Sequence, residues 1–289
     1  MHVPVLLNES LEYLAVRPDG IYVDATAGLG GHTGAIASRL DTGMVIALDR
    51  DAESLEQAKR NTEAWADHIR YRQAKFSEMR QALEALGIGT VDGILADLGV
   101  SRYQLTEPER GFSLAAAGPL DMRMDRTQAL TAADLVNTAN ERELADLIYQ
   151  LGEEGRSRQI TRAIVRARPL RDTLHLARVV EEAMPRTGRL HPATQTFMAL
   201  RRAVNRETEE LEALLTNAPD LVASGGRMVA ITFMSLEDRQ VKEAFRRLAQ
   251  QGRGRLLTKH VVKPGEEEVR ANPASRSSKL RAVEMKQGR

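Results

Sequence analysis

The sequence predicts an α/β fold: a mostly parallel, doubly wound sheet of seven strands, interrupted by an all-helical insert. Three observations carry that expectation. Four short apolar strands alternate with helical segments over roughly the first hundred residues, and three of them end in aspartate, at Asp24, Asp49 and Asp97. Repeated strand–helix units dictate right-handed crossovers and a parallel sheet that binds ligands at its carboxyl edge. A long stretch with only helical signals follows, and two strands joined by a loop containing Pro264, Gly265 and Pro273 close the chain. Strand–loop–strand without a helix cannot form such a crossover, so the final pair is expected to be antiparallel.

Each element has its own signal. Asn8 to Val16 places Leu11, Leu14 and Ala15 on one side of a helix. Strand Ile21–Asp24 runs into a turn holding Gly28, Gly30 and Gly31, and Thr33 to Leu40 continues with helical spacing. Strand Met44–Leu48 ends at Asp49, and Asp51 is a suitable N-cap for a helix reaching Ala64, with Glu56 and Arg60 at i,i+4. Strand Ile69–Gln73 leads to Phe76 in a loop and then to a helix from Ser77 to Leu86, stopped by Gly87. Strand Val91–Ala96 ends at Asp97. Residues 98 to 130 read as loop, after which Thr131 and Asn140 are helix caps. Gln159–Arg168 and Asp172–Met184 are periodic, and His191-Pro192 opens a helix running past Val204. The sheet resumes at Arg227–Phe233 after Gly225-Gly226, followed by helix Leu236–Gln250 and the strands Leu256–Val262 and Lys279–Met285.

The 289 residues, 42% apolar and 28% charged, suffice for a proper core without staples. There is no cysteine, which excludes disulfides, thiolate metal sites and cysteine nucleophiles and suits a reducing cytosol. No apolar run reaches the length of about 18 residues that a membrane helix needs. Ordered-looking sequence begins at His2, so neither signal nor transit peptide is expected, and a bacterial cytoplasmic protein is the simplest reading. Net charge is only +1, but it is unevenly spread: residues 156 to 206 carry 12 Arg and no Lys against 3 acids. A basic segment in a near-neutral chain is an electrostatic footprint for an anion.

The glycine turn narrows the ligand. Strand, tight turn and helix start let backbone approach a ligand closely, and Asp49, about 19 residues beyond the turn, suits the two hydroxyls of a ribose. A dinucleotide fingerprint G-x-G-x-x-G would need glycine where this chain has Thr33. The run D-A-T-A-G-L-G looks more like the first motif of methyltransferases that use S-adenosylmethionine (SAM). A parallel sheet closed by an antiparallel hairpin is likewise the Rossmann-like class I SAM-dependent methyltransferase arrangement, whereas a nicotinamide-binding sheet is expected to stay parallel.

Longer stretches carry a resemblance. H-V-P-V-L-L-N-E from His2, A-G-L-G-G-H-T from Ala27, D-L-G-V-S from Asp97, R-G-F-S from Arg110 and G-P-L-D-M-R-M-D from Gly118 come in order. H-P-A-T-Q-T-F-M-A-L-R from His191, S-L-E-D-R from Ser235, P-G-E-E-E-V from Pro264 and N-P-A-S-R-S-S-K-L-R from Asn272 follow. Together they span residues 2 to 281, and the chain resembles the RsmH (MraW) family of bacterial SAM-dependent methyltransferases. That resemblance implies methylation of the exocyclic N4 of a cytidine in the decoding region of 16S rRNA, cytidine 1402 in the family, with the assembled small subunit as the implied substrate. It implies no metal and no membrane partner, and it leaves room for a homodimer. Gly30, Gly31 and His32 would cradle the methionine and ribose of SAM, Asp49 would take the ribose hydroxyls and Phe76 would lie against the adenine. Asp97 and Gln104 would border the methyl donor. Four positions depart from the family pattern, Gly155, Gln195, Met198 and Met234, all outside that shell.

On this reading residues 1–103 with 207–289 form the SAM-binding domain and 104–206 an inserted helical domain that recognises RNA. Arg156, Arg158, Arg162 and Arg166 have the spacing of one helix flank, and Arg123, His191 and Arg201 join them as candidate RNA contacts. Asp97 is the one candidate for a catalytic role, orienting the amine and SAM. The N/D/S-P-P-aromatic motif of many amino-methyltransferases is absent, with D-L-G-V in its place, so no catalytic base is assigned. A cytosine methyltransferase acting on another nucleic acid, and a SAM-fold RNA-binding factor without catalysis, are the competing readings.

Overall fold

In the computed structural model, which describes residues 4–184 and 191–286, the chain forms two compact units, 1–99 with 208–289 and 100–207. The first holds α1 (Leu7–Leu14), β1 (Ile21–Asp24), α2 (Gly31–Ala37), β2 (Met44–Asp49), α3 (Ala52–Asn61), β3 (Ile69–Gln73), α4 (Met79–Glu84) and β4 (Val91–Asp97). The second holds α5 (Arg102–Thr106), α6 (Ala132–Thr138), α7 (Glu141–Gly152), α8 (Ser157–Ala167), α9 (Thr173–Ala183) and α10 (Thr194–Val204). The chain returns to the first unit through α11 (Glu207–Asn217). It ends with β5 (Val222–Thr232), α12 (Ser235–Gln250), β6 (Gly254–Leu256), α13 (Glu266–Ala271) and β7 (Lys279–Met285).

The seven strands lie in the order β3-β2-β1-β4-β5-β7-β6. The first five are parallel, while β7 runs antiparallel to both β5 and β6. This is the class I methyltransferase topology. Parallel strands are covered on both faces and therefore read as continuous apolar runs. In β4, Ile94 and Ala96 join one buried cluster, which includes Met79, Leu83, Val241 and Phe245. Leu95 points the other way, into a cluster built on Leu11, Leu14, Ile36, Val229 and Ile231. The helical unit has its own core of Leu144, Ile148, Ile160, Ile164, Leu176 and Phe197. Gly152 lets α7 meet α10, since a Cβ there would lie 2.5 Å from the Gln195 carbonyl oxygen.

Three local expectations change. Residues 98–130 include a helix, α5, started by the Ser101 hydroxyl, which accepts the Gln104 N–H at 3.2 Å. The closing strands are joined through α13 and a 3-10 turn, Pro273–Ser277, so the connection is not helix-free; the strand expected over 256–262 is instead β6, with Val262 making a single bridge to Leu280. A short helix does not convert an antiparallel return into a crossover. Third, Gly225 and Gly226 lie inside β5 rather than before it. The register against β4 slips between Val91 and Gly93, and a Cβ at Gly226 would lie 2.8 Å from the Asp92 carbonyl oxygen.

Candidate functional site

Strand order places the carboxyl ends of β2, β1 and β4 side by side, and each ends in an aspartate. Asp24 is fully buried; it accepts the Thr33 hydroxyl at 2.6 Å and the Thr26 N–H at 3.1 Å. Asp49 accepts the Gly28 N–H at 2.8 Å and the Asp51 N–H at 2.9 Å, so it ties the glycine turn to the start of α3. The turn is further pinned where the Ala27 N–H donates to the Leu48 carbonyl at 2.8 Å. Gly30 has φ +85°, and a Cβ there would lie 2.8 Å from the Thr62 methyl. A Cβ on Gly31 would lie 2.4 Å from the Pro4 ring, so the chain entering the domain closes over the turn.

Asp97 has a different environment. Its N–H donates to the Thr26 hydroxyl at 2.7 Å, which locks the β4 end to the glycine turn. Its Oδ1 is buried with no hydrogen-bond partner, although 23% of the side chain as a whole remains accessible. Oδ2 lies 3.8 Å from Nδ1 of His32. The His32 Nε2 donates to the Val5 carbonyl at 3.1 Å, fixing the ring, which is 5% exposed.

Burial raises the affinity of all three carboxyls for protons. Asp97 is pushed up to about 8, by burial first and by the charge of Asp24 second. Asp49 is pushed up to about 6 by burial, against the two N–H bonds that favour its charged form. For Asp24 burial also dominates and raises it, opposed by His32 and the Thr33 hydroxyl. A row of carboxyls that pay desolvation without a full set of partners is an environment poised for a cation. Among the described residues no group of three or more His, Asp or Glu is arranged to hold a metal ion.

The remaining sequence candidates occupy varied surroundings. Phe76 follows β3 in a 3-10 turn and packs, half-buried, against the core. Gln104 belongs to the helical unit, is 3% exposed, and closes the α5 capping box by accepting the Ser101 N–H at 2.9 Å. Arg158, Arg162 and Arg166 lie along the exposed flank of α8, opposite buried Ile160 and Ile164; Arg156 is the N-cap and stands outside the helix. Arg123 is committed within its own loop, bidentate to Asp121 at 2.7 and 2.9 Å, with Nη1 donating to the Arg126 and Gln128 carbonyls. Arg201 is bidentate to Glu207 at 2.8 Å on both oxygens. His191 lies 3.7 Å from Glu181, and its Nδ1 accepts the Ala193 N–H at 3.1 Å. Of the positions that depart from the family pattern, Met234 is the N-cap of α12 and Gly155 is an open turn.

Sequence reading missed Thr26, Thr33 and Val5, whose polar atoms position Asp97, Asp24 and His32. It also missed Arg110, 1% exposed, whose guanidinium lies 5.9 Å from the ring centres of both Tyr103 and Phe112. Arg110 donates to the Arg123 and Met124 carbonyls, and the Asn205 amide completes the clamp by accepting from Met124 N–H and donating to the Met122 carbonyl. Only the R-G-F-S motif hinted at this, since a buried arginine leaves no periodic trace.

The family model described as the MraW methylase family matches residues 1–286. Among curated relatives, ribosomal RNA small subunit methyltransferase H of Solibacter usitatus is 62% identical over 99% of this chain and 100% of its own length. The proteins of that name from Acidobacterium capsulatum and Koribacter versatilis are 51% and 49% identical, each over 99% of this chain and over 98% and 94% of their own lengths. Matched over residues 1–286, on a seven-stranded methyltransferase sheet, the chain belongs to the MraW methylase family.

Proposed function

We propose that this protein transfers the methyl group of SAM to the exocyclic N4 of a cytidine in the decoding region of 16S rRNA, cytidine 1402 in the family, within the small ribosomal subunit of a bacterial cytoplasm. The observation that carries the cofactor is the row of buried Asp24 and half-buried Asp49 and Asp97 at the carboxyl edge, each with its proton affinity raised. SAM brings a sulfonium and an ammonium, and a cation beside such a row favours the ionised carboxylates, whereas the anionic pyrophosphate of a dinucleotide would favour their protonated forms and gain no charge pairing. Relatives named as small-subunit rRNA methyltransferases support the substrate, and the N4 position follows from the sequence resemblance.

In this reading the glycine turn, with Gly30, Gly31 and His32, receives the methionine and ribose. Asp49 accepts the ribose hydroxyls on the lone pairs that Gly28 and Asp51 leave free, and Phe76 flanks the adenine. Gln104 is assigned beside the methyl donor by resemblance alone. When bound, SAM supplies a methyl carbon activated by its sulfonium, so the protein's work is alignment and exclusion of water. A cytosine amine is a poor nucleophile because its lone pair is shared with the ring, and the base must leave its stack to be reached. The accessible edge of the Asp97 carboxyl accepts an N–H of that amine, which turns the lone pair toward the methyl carbon and gives the departing proton an acceptor. An incoming cation lowers the Asp97 proton affinity again, so the carboxylate forms when the cofactor is present. The helical unit reads RNA, with Arg158, Arg162 and Arg166 on phosphates and Arg156, Arg123, His191 and Arg201 as further candidates.

The test is transfer of a labelled methyl from SAM to small subunits prepared from a strain lacking this protein, with the naked rRNA alongside. Label on subunits is the expected result; SAM binding without transfer to either substrate overturns the assignment. If Asp97→Ala weakens SAM binding but leaves turnover at saturating SAM unchanged, Asp97 has no part in the chemistry.

A further inference from the structure

β4 and β5 run parallel with Asp97 opposite Ile231, and the Leu98 N–H donates to the Ile231 carbonyl at 2.9 Å. Two residues further on, the same register sets Gly99 opposite Phe233, just beyond the carboxyl ends of both strands. Side chains alternate along a strand, so Asp97 shares a sheet face with Leu95, and Phe233 shares it with Val229 and Ile231. All three of those apolar residues belong to the cluster that holds α1 and α2, and Phe233 packs against that cluster while keeping part of its surface open. Two residues along and one strand across put the Cα atoms of Asp97 and Phe233 about 8 Å apart. A base resting on the ring would therefore bring its exocyclic group within reach of the carboxyl.

Gly99 makes the ring available. Its φ is +133°, a conformation that side chains rarely adopt, and a Cβ there would lie 3.7 and 3.9 Å from Cδ2 and Cε2 of Phe233. At Gly99 the β4 loop thus sets bare backbone, with no side chain, against one edge of the ring. The run D-L-G-V supplies no aromatic of its own at this edge.

We propose that Phe233 is the surface on which the target base stacks after it leaves its own helix, with Asp97 meeting the exocyclic amine from the end of β4. This rests on the reading of a nucleobase as substrate. A base drawn out of a duplex or loop loses its stacking partners, and an aromatic face restores that energy whatever the base. The carboxyl beside the ring then selects a base with an N–H donor at its edge. Phe233 is thus a base-contacting residue supplied by β5, in place of the aromatic that the β4 loop lacks.

The test compares wild type, Phe233→Leu and Phe233→Tyr on small subunits from a strain lacking this protein, at saturating SAM. SAM affinity is measured by calorimetry and stability by thermal melting. Leucine keeps apolar bulk and removes the π-face; tyrosine keeps both. The expected result is a fall of about ten- to a hundredfold in kcat/KM for subunits in Phe233→Leu, SAM affinity within about twofold of wild type, and recovery in Phe233→Tyr. Wild-type kcat/KM in Phe233→Leu overturns the proposal. So does a loss in which SAM affinity and melting temperature fall together and tyrosine restores neither, because the ring is then only packing. Failure of the wild type itself to methylate subunits overturns the substrate reading and this inference with it, whereas active wild type with unaffected Phe233→Leu overturns this inference alone.

Discussion

Replacing Asp97 by asparagine should make the ligand-free protein more stable above neutral pH while abolishing its chemistry. A carboxyl whose folded value is raised holds its proton more tightly in the folded chain. Stability therefore falls as pH climbs from the ordinary value of 3.8 toward the folded value of about 8, and is level outside that window. At about 1.36 kcal/mol per pH unit the ceiling is about 6 kcal/mol. Water still reaches 23% of the side chain, which halves a working figure to about 3 kcal/mol above pH 8. Near pH 5 only the first third of that window has been crossed, and the difference should be about 1 kcal/mol. The assay is urea unfolding of wild type and Asp97→Asn at pH 5 and pH 8.5 without SAM. Any fixed cost of the new amide cancels between the two pH values, and the relief of Asp24, whose charge helps raise Asp97, adds to the gain at high pH. A stability difference that does not grow with pH would refute the claim that Asp97 is held protonated by its surroundings. The gain is expected because a group kept for function is often a liability to the empty fold.

Further outcomes follow from the same geometry. Asp49, pushed up to about 6, should lose its acceptor strength as it protonates, so SAM should bind more weakly as pH falls from 7.5 to 5 in wild type; calorimetry on Asp49→Asn should show weak binding with that pH dependence removed. Gly30→Ala forces a side chain into φ +85° and against the Ala58 backbone at 3.2 Å, which should cost about 1–3 kcal/mol in unfolding and weaken SAM binding. Asn205→Ala strips partners from the Met124 N–H and the Met122 carbonyl in a buried loop, and denaturation should report a loss of about 2–3 kcal/mol. Joint reversal of Arg162 and Arg166 to glutamate should weaken subunit binding uniformly and flatten its salt dependence by a slope of about 1–2, read from affinities at several salt concentrations.

Local chemistry was legible in the sequence where a residue acts on its own neighbourhood. Asp51, Thr131 and Asn140 announce helix starts by residue type, and each side chain accepts an N–H of the first turn. The aspartates that end β1, β2 and β4 could be read as edge residues because an apolar strand leads into each. Their raised proton affinity could not, because it depends on what covers each carboxyl and on Asp24, opposite Leu95 on the neighbouring strand, lying close enough for its charge to act on Asp97. Thr26, Arg110 and Phe233 were invisible for the same reason: their partners lie 71, 13 and more than 130 residues away along the chain. Gly225-Gly226 misled in the opposite direction, since two glycines read as a strand boundary although the chain there makes a bulge against Asp92.

The most direct test of the central claim is chemical identification of the product. Small subunits from a strain lacking this protein, methylated with labelled SAM, would have their 16S rRNA digested to nucleosides and resolved by mass spectrometry. The account predicts label in N4-methylcytidine alone, at one rRNA site, and none with Asp97→Asn. Label on a ring carbon, on a ribose oxygen or on another base would contradict it.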